Sequence, residues 1–561
     1  MSNVFNQNDT VGQTLVSISN SETSKYFGFG VILDDNKSLI GVTTIKELAL
    51  KILEDPLVTN EKIQYHCSKN YVSVTQKNDG KYDIDKAIKT ISQKNTKSGK
   101  VRFVPIVTKN GTYINIKPYD EIFSAIQTYS VSIYGLGFVG LTLMAAVTAR
   151  GFNCIGIDKS NTKISDLRNN KLPVLEDGLE ELYLNLNLSE KIYGADENKP
   201  VSNTKIICVG TDINANFDVN YSPLKNVVDK IGSELKIGDL VILRSTVPVG
   251  CTRNIVIDGL QKNSGLIAGT DFFVSFCPER TVEGQAINEI FKLPQIIGGF
   301  SQACVDKAAK FFSEIAINNV LTDSLEAAEF IKLLNNSFRD LTFAFSNEII
   351  FLADKFNLDA TKLVKQANYN YPRNTIALPS PGVGGYCLTK DPYIYTKTQE
   401  TKKMSLSMMG RKINDRAQKY PLVKFKEHIK KYNLDAKILK IGVLGIAFKG
   451  IPETNDVRGS TGLNLAISLM EEFGNIFVHD PCVNFKTINK ELTETSSDFI
   501  FQNCHAVFIM NNNPRLIGGE WELLNNKEKD FFLFDGWLNL SEKVPKRYLE
   551  KITFCTLGKV M

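Results

Sequence analysis

Short apolar runs, each closed by a turn signal, recur along this chain and alternate with longer stretches of helical period, a pattern that predicts an α/β protein. In the first 125 residues, strands over 30–33 and 38–42 flank the turn Asp34-Asp35-Asn36, and Thr43-Thr44 stand ready to cap a helix over 45–53. The order returns as a helix over 85–91, a strand over 103–107, the turn Lys109-Asn110-Gly111 and a strand over 113–116. Two copies of one unit predict a pseudo-symmetric pair. From Val131 onward the runs at 131–134, 153–157, 205–209, 240–243 and 272–276 are continuously apolar, as strands buried on both faces of a parallel sheet require. Asp323 with Glu326 three residues later signals a helix start, and no breaker follows until about Asp354. A third unit opens near Ala436, with strands over 438–444 and 476–479.

The first strand of the second unit runs into Gly135-Leu136-Gly137-Phe138-Val139-Gly140, then a helix, then a strand ending at Asp158. In such a loop Gly135 supplies a tight turn, Gly137 close approach to a pyrophosphate, and Gly140 close helix–strand packing, with the helix N-terminus toward the phosphates. Asp158 lies where a carboxylate accepts from a ribose diol and repels a 2′-phosphate, so the expected cofactor is NAD. Thr211, Ser245 and Thr246 follow later strands and fall at the crevice where open α/β sheets bind ligands. Cys277-Pro278-Glu279-Arg280-Thr281-Val282-Glu283-Gly284 also sits just after a strand. On the long helix, Glu329, Lys332, Asn336 and Arg339 share one face. Their apolar flanks predict burial, and buried Lys and Asn need a polar partner such as a developing oxyanion. Gly384-Gly385-Tyr386-Cys387-Leu388-Thr389-Lys390-Asp391-Pro392 combines a candidate nucleophile with a cation and a carboxylate. By itself, such a turn more often holds a buried structural thiol.

Composition narrows the class. The 561 residues suffice for three or four domains, and 43% hydrophobic with 23% charged residues is ordinary for a globular protein. A net charge of +5 argues against a dedicated nucleic-acid surface. Ten scattered cysteines and four histidines give no metal spacing, and no apolar run reaches membrane-spanning length. The polar N-terminus lacks a signal-peptide core, so the expectation is a cytoplasmic protein.

Residues 1–126 resemble a tandem CBS module, which implies adenine-nucleotide binding and regulation of an attached enzyme. The usual Thr/Ser–x–x–Asp ribose signature is absent: Thr43 is followed at that distance by Lys46, and Asp120 is preceded by Lys117. A module kept for packing or oligomerisation fits the residues equally. From about 130 onward the chain resembles the UDP-glucose/GDP-mannose dehydrogenase family. The resemblance is carried by the Gly135 loop, Ser245-Thr246-Val247-Pro248-Val249-Gly250, Cys277-Pro278-Glu279-Arg280, the Glu329/Lys332/Asn336 helix, residues 384–391, and Phe448-Lys449 with Asp456-Val457-Arg458. It implies an NAD-binding Rossmann domain at 129–320, a central helical domain at 321–433, and a UDP-sugar-binding Rossmann-like domain at 436–561, assembled as a homodimer or larger homo-oligomer. The implied reaction is oxidation of a sugar C6 alcohol to a carboxylate with two NAD per turnover, supplying an acidic sugar for a surface polysaccharide. Cys387 would carry a thiohemiacetal and then a thioester. Lys332 and Asn336 would stabilise the C6 oxygen, Asp391 would order or deprotonate water, and Glu279 would assist hydrolysis with Thr246 nearby. Lys163, Ser245, Glu283 and Arg458 join the implied cofactor set. Arg280, Arg373, Gly384 and Lys449 join the substrate set, Arg373 across a subunit boundary.

In the third unit, Gly442-x-x-Gly445 replaces the full fingerprint, with Lys449 and Arg458 placed to meet a diphosphate. The UDP-glucose enzymes of this family commonly have an arginine after the late Asp-Gly pair, where Asp535-Gly536 is followed by Trp537. Cys277-Pro278-Glu279-Arg280, Tyr371-Pro372-Arg373 and Asp391-Pro392 resemble the branch acting on UDP-N-acetylglucosamine or UDP-N-acetylmannosamine, with UDP-glucose the alternative. Two rivals make different predictions. A two-electron hydroxyacid dehydrogenase forms one NADH per substrate, and a nucleotide-responsive binding protein shows no turnover.

Overall fold

The computed structural model describes residues 4–20, 29–69, 73–76, 82–83, 103–118, 130–397, 405–485, 488, 492–518, 520–540 and 544–561. Its N-terminal part holds two small sheets that share a three-strand order, the second with Tyr82–Asp83 added antiparallel to Val74–Gln76. Strand Val4–Asn6 runs parallel to Phe29–Leu33, which is antiparallel to Leu39–Thr44. Val74–Gln76 likewise runs parallel to Phe103–Val107, which is antiparallel to Tyr113–Pro118. Thr44 caps helix Ile45–Glu54 with a reciprocal bond to Glu47. The two hairpins meet at their turns, where Tyr113 N–H donates to the Lys37 carbonyl at 3.0 Å. The helix expected over 85–91 lies outside the described residues. Val4–Asn6 and the helix Val11–Asn20 add elements that the periodicity alone did not reveal.

The second unit is an eight-stranded sheet. Its spatial order is Ile192–Gly194, Asn153–Asp158, Ser130–Tyr134, Thr204–Ile207, Leu240–Leu243, Phe273–Phe276, Gln295–Gly299 and Asn319–Leu321. The strand order reverses at Ser130–Tyr134, so a crevice opens beyond its C-terminal end. Gln295–Gly299 pairs antiparallel to Phe273–Phe276 and parallel to Asn319–Leu321, so these last two strands run opposite to the six parallel ones. The two faces are covered by separate apolar clusters, one around Leu141, Met144 and Phe311, the other around Leu224, Val256 and Phe272.

The third unit is a seven-stranded sheet centred on Lys440–Leu444 and Ala506–Ile509. It repeats the local design of the second. Gly135 and Gly445 both take positive φ, at 94° and 91°. A Cβ on Gly140 would lie 1.8 Å from the Gly135 carbonyl oxygen, and one on Gly462 would lie 2.1 Å from that of Gly445. Only glycine permits either contact. Asp158 accepts from Leu136 N–H at 2.8 Å, and Asp480 accepts from Ile446 N–H at 2.8 Å. Gly445 and Gly462 therefore stand where Gly135 and Gly140 stand, with residues 446–460 inserted between them. Gly442 belongs to the strand, not to the turn: a Cβ there would meet Ile500 at 2.2 Å.

Between the sheets run two long helices, Leu325–Asp354 and Leu406–Tyr432. The first is capped by Ser324, whose hydroxyl accepts from Ala327 N–H, one residue later than the Asp323 signal suggests. Asp340 on one helix and Arg411 and Asn414 on the other form a buried polar seam, with Arg411 Nη1 donating to Asp340 at 2.7 Å. No helix among the described residues is long and apolar enough to cross a membrane.

Candidate active site

The inner face of helix Leu325–Asp354 organises the site. Glu329 accepts from the Gly250 N–H at 2.5 Å, the Thr252 N–H at 2.7 Å and the Thr252 hydroxyl at 2.5 Å. It thereby pins the loop that carries Ser245 and Thr246. One turn on, Lys332 Nζ donates to the Glu279 carbonyl at 2.5 Å. After another turn, Asn336 Nδ2 donates to Asp391 Oδ2 at 2.6 Å, while Lys390 Nζ donates to Oδ1 at 2.7 Å. Asp391 is wholly buried at the start of helix Asp391–Thr396, where a carboxylate suits the dipole and Pro392 sacrifices no hydrogen bond.

Cys387 lies on the turn entering that helix, its carbonyl accepting from the N–H groups of Lys390 and Asp391. It is the one exposed cysteine of ten. Although the residue is accessible, desolvation by the crevice walls is the largest influence on its thiol and raises the pKa; the Asp391 charge adds to that, and Lys332 and Lys390 oppose it. Of the nearby carboxylates, Asp391 raises the thiol pKa most, with Glu283 adding to it. Glu279 is committed elsewhere: Arg244 donates to Oε2 from Nε at 3.1 Å and from Nη2 at 2.6 Å, and the N–H groups of Arg280 and Thr281 occupy Oε1. Burial is the largest single influence on Glu279 and opposes its ionisation, but Arg244, the Thr281 N–H and Lys332 together hold the pKa below the usual carboxylate range.

The nucleotide loop shows the features that NAD requires. A Cβ on Gly137 would meet nothing within 4 Å, so the N-terminus of helix Phe138–Ala149 faces open space at the crevice. Phe138 and Val139 begin that helix. Asp158 is held by the N–H groups of Leu136 and Ser160 and by Lys163 Nζ at 2.9 Å. Despite burial, these donors lower its pKa, and a carboxylate retains lone pairs for a ribose. Thr211 Oγ1 donates to the Thr246 carbonyl at 2.5 Å, and Ser245 Oγ to the Val209 carbonyl at 2.7 Å, so both hydroxyls tie adjacent strand ends together.

The insertion at 446–460 reaches back from the third unit to the second. Lys449 Nζ donates to the Glu283 carbonyl at 2.6 Å, Thr454 Oγ1 to Glu283 Oε2 at 3.3 Å, and Arg458 Nη2 stands 3.8 Å from Glu283 Oε1. Burial raises the Glu283 pKa, with Asp456 adding to it, and burial lowers that of Lys449. Gly384 and Gly385 serve the same junction: a Cβ on the first would lie 2.6 Å from the Gly459 carbonyl oxygen, and on the second 2.8 Å from the Phe448 ring. Their lack of side chains admits the third domain's backbone and ring. Arg280 donates to the Pro294 carbonyl at 2.7 Å. Arg373 is exposed beside Tyr371, apart from this cluster.

Sequence reasoning missed Arg244, Asp212 and the Arg411–Asp340 pair. Arg244 directly precedes Ser245-Thr246 at a strand end, which was a usable signal. The other two are assembled by residues more than 70 positions apart, and no local pattern announces them.

Comparison with known proteins agrees with this geometry. Residues 129–316 match the NAD binding domain of the UDP-glucose/GDP-mannose dehydrogenase family, 326–416 its central domain, and 442–542 its UDP binding domain. A UDP-N-acetyl-D-mannosamine dehydrogenase of Campylobacter jejuni is 32% identical over 355 residues, 62% of this chain and 84% of that protein. Its namesake from Pyrococcus horikoshii is 28% identical over 408 residues, 72% of this chain and 94% of that protein. The solved structure of the Pyrococcus UDP-D-ManNAc dehydrogenase superposes with a TM-score of 0.68 at 26% identity, covering 77% of this chain and 99% of that one. The UDP-N-acetyl-mannosamine dehydrogenase of Staphylococcus aureus gives 0.63 at 25% identity, over 76% and 98% of the two chains. The chain is a nucleotide-sugar dehydrogenase with an NAD-binding domain, and it belongs to the UDP-glucose/GDP-mannose dehydrogenase family.

Proposed function

We propose that this protein oxidises the C6 alcohol of a UDP-N-acetylhexosamine to the uronic acid in a four-electron reaction, with UDP-N-acetylmannosamine as the first substrate to test and UDP-N-acetylglucosamine the second. The observation that carries the reading is the exposed thiol of Cys387 within the electrostatic reach of Lys332, Lys390 and Asp391. NAD, when bound, accepts the electrons of both oxidations. Cys387 adds to the C6 aldehyde as a thiohemiacetal and holds the carbon through the second oxidation as a thioester, so the aldehyde is never released. Lys332 and Asn336, fixed on one helix face, donate to the oxygen as it gains charge. Asp391, oriented by Asn336 and Lys390, directs the water that frees the acid. Glu279 acts through its backbone, its carbonyl fixing Lys332.

The relatives' names support the choice of sugar, and the inserted loop with Lys449 and Arg458 supports a diphosphate at the domain junction. Outward on the long helix, Phe338, Phe345 and Leu352 are 70%, 57% and 56% exposed along one stripe, which supports a homodimer built on that face. The three-strand order shared by the two N-terminal sheets supports a CBS-like regulatory pair. We place the reaction in the cytoplasm, as a source of acidic sugar for a surface polysaccharide.

The test is NADH formed per mole of sugar nucleotide, run to completion on UDP-N-acetylmannosamine, UDP-N-acetylglucosamine, UDP-glucose and GDP-mannose. Two NADH from one of the first pair, and none from Cys387→Ala with NAD binding retained, is the expected result. One NADH per sugar, or wild-type rates in Cys387→Ala, sinks the thioester route.

A further inference from the structure

Tyr386, the residue before Cys387, touches all three enzyme domains at one point. Its hydroxyl donates to Asp212 Oδ1 at 2.6 Å, on the loop that follows strand Thr204–Ile207 of the NAD-binding domain. The Arg458 guanidinium of the third domain lies 4.3 Å over its ring centroid, and Lys390 Nζ lies 5.0 Å from the same centroid. Arg458 is in turn held by Asp456 at 2.6 Å. The loop of residues 212–220 grips the Cys387 segment twice more. Phe217 stacks on Tyr393 with centroids 3.9 Å apart and planes 11° from parallel, and Lys397 pairs with Asp218. Phe217 adopts a φ of 60°, which a residue with a bulky side chain takes only where its surroundings hold it.

Backbone stiffness does not explain where Cys387 stands. Gly384 and Gly385 immediately precede this pair, and Gly385 has a φ of 88°, so the chain entering the turn is soft. Tyr386 is the first side chain after the glycines, and its contacts reach both flanking domains.

We propose that Tyr386 is a positioning residue, which through its hydroxyl on Asp212 and its ring beneath Arg458 fixes Cys387 relative to both nucleotide-binding domains at once. The proposal rests on the reading of Cys387 as the covalent carrier. In that reading one sulfur must serve two oxidations in the same register, and a displacement of about 1 Å costs of order a hundredfold in rate.

The experiment compares wild type, Tyr386→Phe, Asp212→Asn and the double variant as full chains. The expected result is a kcat lowered about tenfold in each single variant, with both KM values changed less than about twofold. The double variant loses no more than either single one, because the two groups make one bond. A second readout needs no sugar: the pH midpoint for alkylation of Cys387 by iodoacetamide, followed on its own peptide. It shifts by about half a unit or more in both single variants as the sulfur moves relative to Lys332, Lys390 and Asp391. Unchanged kcat with an unchanged midpoint overturns the proposal, as does a rise in KM alone. Should wild type form no NADH from any sugar nucleotide, the covalent reading fails, and the alkylation midpoint then decides the positioning by itself.

Discussion

At the residue scale, the environment of Cys387 sets its nucleophilicity by competition. Desolvation and the Asp391 charge push the thiol pKa up, and Lys332 and Lys390 pull it down. With the pKa above its ordinary value, the thiolate fraction grows as pH rises, so the rate of Cys387 chemistry climbs through the alkaline range. Asp391→Asn removes the negative charge and keeps the shape, which lowers the thiol pKa. The alkylation rate of Cys387 in Asp391→Asn should therefore reach half its plateau at lower pH than in wild type, while uronic acid formation falls because the water loses its base. A midpoint that stays put or moves upward would refute this account of the thiol.

At the scale of elements, buried carboxylates that hold backbone N–H groups shape the joints between domains, alongside ion pairs such as Arg458 with Glu283. Glu329 ties the Gly250 turn to the long helix. Glu176 accepts from Gly284 N–H at 2.7 Å, beside the loop where Lys449 and Glu283 meet. Burial pushes the Glu176 pKa up to about 7, against the pull of N–H groups from Gly284, Ala286 and Ile287. A folded-state pKa of about 7, above the ordinary 4.5, gives a contribution to stability that is full below pH 4.5 and lost as pH rises through about 7. Glu176→Gln keeps an acceptor but no charge. It should flatten the pH dependence of the melting temperature between about pH 5 and 8 and raise the melting temperature at the upper end, as read by scanning calorimetry. An unaltered pH profile would show that Glu176 stays ionised. These joints also mark how far the sequence could be read. The Gly135 loop, the apolar strands and the long helix are local patterns, and they stand where periodicity placed them. Asp158 was read for its ribose role, yet its bond to Leu136 N–H, repeated by Asp480 in the third unit, shows a structural task that spacing alone conceals. The antiparallel strand Gln295–Gly299 and the purpose of Gly384 and Gly385 depend on partners distant in sequence, so no local signal carried them.

For the whole molecule, the long central helix is inverted relative to an ordinary surface helix. Its polar stripe of Glu329, Lys332 and Asn336 faces the site, and its apolar stripe faces outward. Exposed Phe338 and Phe345 on this stripe are large apolar groups that a second copy would cover. Phe338→Glu with Phe345→Glu should convert a dimer to a monomer in sedimentation equilibrium; a monomeric wild type would remove this reading. The N-terminal pair raises the remaining question of control. In its first repeat the hydroxyls of Thr14 and Thr43 are buried and find no hydrogen-bond partner among the described residues. Each such group costs of order 1–3 kcal/mol, a cost that a bound polar ligand would relieve. If the module senses an adenine nucleotide, kcat/KM of the full chain changes on titration with AMP, ADP or ATP, the chain lacking residues 1–126 does not respond, and Thr43→Val responds only at higher concentration. Equal responses in the full and shortened chains would assign these residues to packing or assembly, and the two hydroxyls would then be a tolerated defect of a repeat that no longer binds anything.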